Sequence, residues 1–189
     1  MPADPTPSTE ARRNARTILN RLKKRYPVMG TALDYRDPWQ LLVATVMSAQ
    51  TTDEQVNKVT PVLFERWPEA SDLAAANPEE VEQVIFSTGF YRQKTTSIQA
   101  LSADLEERFG GVVPGDLDEL VTLRGVGRKT ASVVLAEAFG VPAIAVDTHV
   151  KRVSNRLGLV AEKDPAKIEF ALKALHPESE WGGISMRYI

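Results

Sequence analysis

The chain has 189 residues, a net charge of −2, no cysteine and two histidines, with 43% apolar and 25% charged residues. This composition is that of a folded globular chain and excludes disulfides, thiolate metal or iron–sulfur ligation and a cysteine nucleophile. The charge excludes a globally basic nucleic-acid binder, although it permits a locally basic face.

Apolar spacing and end signals predict helices throughout the chain. Asp-Pro or Asn-Pro pairs stand where helices would begin, and glycines stand where they would end. The predicted helices cover residues 9–26, 38–49, 53–66, 71–76, 78–87, 91–109, 116–122, 128–139, 148–157 and 165–175. Pro142 interrupts the one strand-like run, so the sequence predicts an all-α protein.

The sequence predicts neither an N-terminal signal peptide nor a transmembrane helix. Residues 1–7 are proline-rich without an apolar segment, and no apolar stretch of about 18 residues occurs in the chain. We expect a soluble, intracellular protein with a disordered arm over residues 1–8.

The segment 117–139 carries the most informative motif. A short apolar helix runs into Leu123-Arg124-Gly125-Val126-Gly127, and Arg128-Lys129-Thr130 opens a longer helix. Two glycines permit positive φ and close backbone approach, and the N–H groups at a helix start suit a phosphate oxygen. This layout is that of a helix-hairpin-helix element, a sequence-independent clamp on the DNA backbone. The alternative is a tight turn in which the glycines serve packing alone.

Basic residues concentrate around this motif. Residues 121–157 hold six Lys or Arg against two acidic residues, a net charge of +4, so that the rest of the chain carries −6. This asymmetry is typical of a DNA-binding face on an acidic protein, although solvated helix faces would give the same count.

Two residues are candidates for catalysis. Lys129 lies in the first turn of a mostly apolar helix, where the positive helix end and partial desolvation would favour its neutral amine. Such an amine can attack a sugar C1′ and form a Schiff base, whereas an ordinary surface lysine would only bind phosphate. Asp147 follows an apolar run and is a strong N-cap candidate. Its carboxylate could also stabilise an oxocarbenium-like sugar or take a proton from the amine, or it could be a cap and nothing more.

These motifs resemble those of the endonuclease III family of DNA glycosylases. The resemblance rests on residues 123–131 and 145–149, on 47–53 and 56–61 upstream, and extends over about residues 9–180. It implies a bifunctional base excision repair enzyme that flips an oxidised pyrimidine out of double-stranded DNA, displaces it and nicks the strand by β-elimination as an AP lyase. Lys129 matches the family's nucleophile and Asp147 its essential carboxylate.

The resemblance also implies DNA contacts. Gln50 matches the residue that fills the gap left by the flipped base, and Phe90 stands where the family has an apolar wedge. An ordinary helix-end residue and a core phenylalanine are the respective alternatives. The other expected DNA-binding residues are Gly125, Val126, Gly127, Arg128, Lys151 and Arg152.

The family fold is two all-α lobes with the active site in the cleft between them. The resemblance implies a six-helix lobe over 31–142, with the helix-hairpin-helix at 117–139, and a second lobe that pairs 9–30 with 143–189. Lys129 would then face Asp147 across the cleft. A monomer that is cytoplasmic and nucleoid-associated is expected.

Two cofactors of the family bear on this chain. In related glycosylases the hairpin carbonyls hold a monovalent cation, and the matching positions are Val121, Leu123 and Val126. Most members hold a [4Fe–4S] cluster on four C-terminal cysteines, whereas this chain has no cysteine. We expect no cluster here.

The resemblance fades after residue 181, because residues 182–189 show neither the family's last helix nor a cluster ligand. We expect a second lobe that is incomplete at its C-terminus, with Ile18, Leu22 and Leu172 exposed and stability reduced. The alternative function is therefore a catalytically impaired or dead helix-hairpin-helix DNA-binding protein. A monofunctional relative such as an adenine glycosylase is a third possibility, which Lys129 disfavours.

Overall fold

Helices form the regular structure of the chain. The computed structural model describes residues 6–27 and 29–188, and within them it contains α-helices and two short 3₁₀ helices but no strand. The α-helices are Thr9–Arg25 (α1), Pro38–Met47 (α2), Asp53–Arg66 (α3), Ala70–Ala75 (α4), Pro78–Ile85 (α5), Tyr91–Phe109 (α6), Leu117–Leu120 (α7), Arg128–Ala138 (α8), Thr148–Arg156 (α9), Pro165–Leu175 (α10) and Trp181–Arg187 (α11). The 3₁₀ helices are Phe86–Thr88 and Glu178–Glu180. The all-α prediction is confirmed.

Side-chain caps explain where several helices begin. Asp37, Asn77 and Asp164 each precede a proline at the first helical position and accept a backbone N–H of the first turn at 2.8, 2.9 and 3.0 Å. A proline is tolerated there because the first-turn N–H groups have no partner within the helix. These three predicted starts are therefore confirmed, whereas the helix predicted over 38–49 ends earlier, at Met47.

Of the N-terminal arm predicted over residues 1–8, residues 6–8 lie in the part of the chain that the structure describes. Residues 1–5 lie outside the described residues. Ser8 accepts the N–H of Ala11 on its Oγ at 3.1 Å and caps α1, so residue 8 belongs to the ordered fold.

Helix α11 corrects the prediction that no helix follows residue 175. Gly182 and Gly183 each disfavour a helix by about 1 kcal/mol, which is why the sequence pattern gives no helical signal there. Ile184 and Tyr188 nevertheless lie fully buried at the end of the chain, and this packing outweighs the low propensity. Burial also raises the pKa of Tyr188 to about 12, so its hydroxyl stays protonated at neutral pH.

The expectation that Ile18, Leu22 and Leu172 are exposed is wrong as well. Leu172 is fully buried, and Ile18 and Leu22 are half-buried. Leu22 packs against the same cluster of side chains that Ile184 and Tyr188 enter. Helix α11 therefore covers apolar surface that the sequence pattern leaves open.

The chain divides into two compact units. The central unit comprises residues 32–139 and contains α2 to α8. The terminal unit comprises the described residues up to 31 together with those from 140 onward, and contains α1 and α9 to α11. Nowhere in the described residues is there a helix with both the length and the apolar composition needed to cross a membrane.

Each unit has its own core. In the central unit α2 is buried on nearly all sides and packs against α3, α6 and α8, as expected of an internal helix that is apolar all round. In the terminal unit α1 packs against α10 and α11. The core of that unit contains Leu19, Ile144, Val150, Val160, Ile168, Leu172, Ile184 and Tyr188.

We predict that Leu172→Ala lowers the free energy of unfolding by about 2–5 kcal/mol, because it opens a cavity in the core of the terminal unit. Leu157→Ala is the matched control, since Leu157 is 37% exposed in the same unit, and it should cost less than about 1 kcal/mol. Urea unfolding followed by circular dichroism measures both variants. Equal losses in the two would contradict the burial of Leu172.

Candidate active site

The helix-hairpin-helix element consists of α7, the turn over residues 121–127, and α8. Asp116 begins α7 by accepting the N–H groups of Asp118 and Glu119 on one oxygen, at 2.8 and 3.1 Å. Gly125 has φ of 77°, a conformation that side chains other than glycine rarely adopt. Leu123 and Val126 are buried on either side of it and anchor the turn.

Two residues of helix α6 form hydrogen bonds to this turn. The backbone N–H of Arg124 donates to Asp104 Oδ2 at 3.0 Å, and Arg124 Nε lies 3.4 Å from Asp104 Oδ1. Arg108, one turn further along α6, donates to the carbonyl oxygen and hydroxyl of Thr122 at 3.3 and 2.8 Å. The role of Asp104 has no signal in the sequence, because it is one of several acidic residues on an amphipathic helix.

Gly127, unlike Gly125, does not have a positive φ. Its φ is −85°, and a Cβ added there would meet no other described atom within 4 Å. Neither backbone conformation nor internal packing therefore demands glycine at 127, and its missing side chain leaves room for close approach from outside. In the described chain, α8 also begins without a side-chain cap after this residue.

Val126 has its side chain in the interior of the fold and not on the surface of the turn. Its side chain is buried, and its N–H donates to the carbonyl of Leu123 at 3.1 Å. That N–H therefore closes the turn, and the expected DNA contact of Val126 stays a prediction.

Lys129 and Arg128 open α8. Lys129 lies in the first helical turn and is exposed. Arg128 is half-buried beside it. Both belong to the central unit and stand directly behind the turn that contains Gly125 and Gly127.

Asp147 belongs to the terminal unit and caps α9. Its Oδ1 accepts the N–H groups of His149 and Val150, each at 2.8 Å, which is the cap that the sequence predicts. The core fixes this position from both sides, since Ile144 and Val150 are fully buried. Helix α11 adds a polar tie, because the N–H of Ala145 donates to Ser185 Oγ at 2.8 Å. The sequence gives no hint of this contact.

The basic residues of α9 lie along its solvent side. Lys151 is half-buried, and Arg152 and Arg156 are exposed. Arg152 Nη2 lies 2.9 Å from Nδ1 of His149, which is itself exposed and not part of the core.

Gln50 and Phe90 share an unusual backbone conformation. They are the non-glycine residues of the described chain with positive φ, 55° at Gln50 and 47° at Phe90. Gln50 lies exposed in the turn after α2, and Phe90 is 63% exposed immediately before α6. Phe90 is thus not a core residue. Positive φ at such side chains is strained, and strained positions in structures concentrate at functional sites.

Several known proteins are similar to this chain in sequence and structure. Residues 43–178 match the family model described as HhH-GPD superfamily base excision DNA repair protein. Endonuclease III of Synechocystis sp. is 52% identical over 94% of this chain and 82% of its own length, and endonuclease III of Bacillus subtilis is 46% identical over 90% and 78%. A solved structure described as a trapped endonuclease III–DNA covalent intermediate, the estranged-adenine complex, is 47% identical. It superposes with a TM-score of 0.90 over 94% of this chain and 84% of that one.

The family model covers more than half of the chain, and the endonuclease III relatives match it over nearly its whole length. The chain therefore belongs to the HhH-GPD superfamily of base excision DNA repair proteins, and within it to the endonuclease III family of DNA glycosylases with AP lyase activity.

Proposed function

We propose that the protein removes oxidised pyrimidines from double-stranded DNA, with Lys129 as the nucleophile, and then cuts the strand at the resulting abasic site. The observation that carries this proposal is that Lys129 is an exposed residue in the first turn of α8, immediately after the Gly125–Gly127 turn. Phosphates held by that turn would bring the sugar of a flipped nucleotide within reach of the amine.

The chemistry needs one attacking amine and one leaving base. The neutral amine of Lys129 forms a bond to C1′, the bond from C1′ to the base breaks, and the base leaves with that electron pair and takes up a proton. Loss of the amine proton and opening of the sugar ring give a Schiff base. Removal of a C2′ proton then expels the 3′ phosphate by β-elimination.

We assign Asp147 to charge stabilisation and proton transfer in this sequence. Its carboxylate accepts two N–H groups of α9 through Oδ1. An ionised carboxylate can stabilise positive charge developing on the sugar or accept the proton of the attacking amine.

The remaining residues bind DNA in this proposal. The backbone of Gly125 and Gly127, with Arg128 beside them, contacts one stretch of phosphates, and Lys151 and Arg152 of α9 contact another. Gln50 fills the gap left by the extruded base, and Phe90 wedges between neighbouring bases. Chromosomal DNA as substrate implies work at the nucleoid, and we propose that a monomer performs it because one chain supplies both Lys129 and Asp147.

Two cofactors of the family fit this chain differently. In the described chain the carbonyls of Val121 and Val126 accept no hydrogen bond, whereas that of Leu123 accepts from Val126, so these oxygens fit a monovalent cation that would screen the phosphates. A [4Fe–4S] cluster does not fit, because the chain has no cysteine to ligate it.

We predict that Lys129→Ala abolishes the covalent adduct that borohydride traps between the protein and an oligonucleotide with an abasic site, while binding to the same duplex persists. The amine is the only atom group removed that can form the Schiff base. Lys163→Ala, an exposed lysine outside the proposed site, should trap like the wild type. Undiminished trapping by the Lys129 variant would remove the nucleophile assignment, and a wild type that binds without trapping would leave a DNA-binding protein.

We predict that Asp147→Asn slows base release by about 10²–10³-fold in single-turnover assays, because the amide carries no charge. Asparagine caps helices about as well as aspartate, so the melting temperature should change little. Asp164→Asn makes the same substitution at the cap of α10 and should leave the excision rate unchanged. Equal slowing in the two variants would reduce Asp147 to a cap.

We predict that Phe90→Ala weakens binding to a duplex with an abasic site by about tenfold, since loss of one aromatic stacking contact costs about 1–3 kcal/mol. Alanine bears the same strain as phenylalanine at positive φ, so the backbone is not relieved. Phe170→Ala is the control, because Phe170 is similarly exposed at 57% but lies on α10. Fluorescence anisotropy compares them, and identical affinities would exclude a wedge at position 90.

A further inference from the structure

Lys94, in the second turn of α6, is a buried lysine that the proposed chemistry does not use. Its side chain is 5% exposed, and burial lowers its pKa below the ordinary value for lysine. Within the described residues it forms no ion pair. A buried ammonium without a carboxylate is unfavourable unless hydrogen bonds satisfy it, so its partners carry the information about its role.

Those partners lie on two separate loops. Lys94 Nζ donates to Thr51 Oγ1 at 2.5 Å and to the carbonyl oxygen of Thr88 at 2.9 Å. The hydroxyl of Thr51 in turn donates to the same carbonyl of Thr88. We call these three groups the Lys94 clamp. The clamp joins the turn after α2 to the loop before α6.

Each end of the clamp adjoins a strained residue. Thr51 directly follows Gln50, and Thr88 precedes Phe90 by two positions, with Gly89 between them. The backbone N–H of Lys94 also donates to the carbonyl of Phe90 at 3.0 Å. The main chain of Lys94 thus contacts Phe90, and its side chain contacts the residue that follows Gln50. A strained conformation persists only where its surroundings over-determine it, and the clamp supplies that constraint at both positions.

A second tie runs parallel to the clamp. Gln55 Nε2 donates to Ser87 Oγ at 2.7 Å, but this pair is exposed and therefore weaker than the buried contacts of Lys94. Since Gln55 belongs to α3, the contacts of Lys94 are the stronger tie and the one that joins the two loops.

We propose that Lys94 is a positioning residue for base displacement, which holds the turn of Gln50 and the loop of Phe90 in the shape that inserts these side chains into DNA. This inference rests on the proposed function of Gln50 and Phe90. Lys94 itself does not touch the reacting atoms.

The test separates insertion from chemistry. Lys94→Met keeps the length of the side chain and removes the ammonium, and Lys58→Met, an exposed lysine of α3, is the matched control. We expect Lys94→Met to slow excision of 5-hydroxyuracil from duplex DNA by about tenfold or more. Borohydride trapping on a single-stranded abasic oligonucleotide, which has no orphan base to displace, should change by less than about twofold.

A second readout does not depend on catalysis. Fluorescence of 2-aminopurine placed opposite an abasic site rises when the orphan base is unstacked, and Lys94→Met should lose most of the rise that wild type and Lys58→Met give at saturating protein. Thr51→Val, which keeps the ammonium but removes its hydroxyl partner, should change both readouts in the same direction by a smaller factor. If Lys94→Met does not fold, Thr51→Val still tests the positioning role of Lys94.

The outcomes are distinguishable. Equal loss on duplex and single strand, or no loss on either, overturns the positioning role, and so does a wild type that gives no 2-aminopurine signal. Failure of the wild type to trap any abasic oligonucleotide overturns the proposed function, whereas the fluorescence comparison still judges the clamp.

Discussion

The N–H groups in the first turn of a helix have no partner within that helix, and the way this chain satisfies them organises its candidate sites. Most of its longer helices use a side-chain oxygen for the purpose. Among the described helices of eight or more residues, α6 and α8 are the ones that begin without such a cap. They begin after Phe90 and Gly127, two of the proposed DNA contacts. An uncapped helix start remains attractive to an anion from outside, which supports the phosphate contact that we propose at Gly127.

Helix α6 connects the two regions of the central unit that would meet DNA. Near its start Lys94 ties down the neighbours of Gln50 and Phe90, and near its end Asp104 and Arg108 hold the hairpin turn. Lys94 and Asp104 are ten residues apart, which corresponds to about 15 Å along a helix. A single helix therefore sets the spacing between the loops of Gln50 and Phe90 and the turn over residues 121–127.

Local signals in the sequence predict much of this architecture, and tertiary contacts account for the rest. Capping residues before proline, as at Asp37 and Asp164, act within one turn and can be recognised without a structure. The helix at 181–187 could not be predicted, because its glycines oppose it and the burial of Tyr188 with distant residues supports it. Likewise the sequence predicts the turn at Gly125. It does not predict positive φ at Gln50 and Phe90, since nothing in those residue types favours it.

Lys94 and Lys129 of the central unit illustrate why residue type and helix position do not settle a role. Both Lys94 and Lys129 lie near the start of a helix, but one is buried and the other exposed. Burial favours the neutral amine of Lys94, which by itself would suit a nucleophile. Its amine is committed to Thr51 and to the carbonyl of Thr88, and no sugar could reach it without opening the core. Access therefore argues against Lys94 as the Schiff-base lysine and supports our proposal of Lys129. The same burial that keeps Lys94 away from the substrate suits it to the positioning role that we propose.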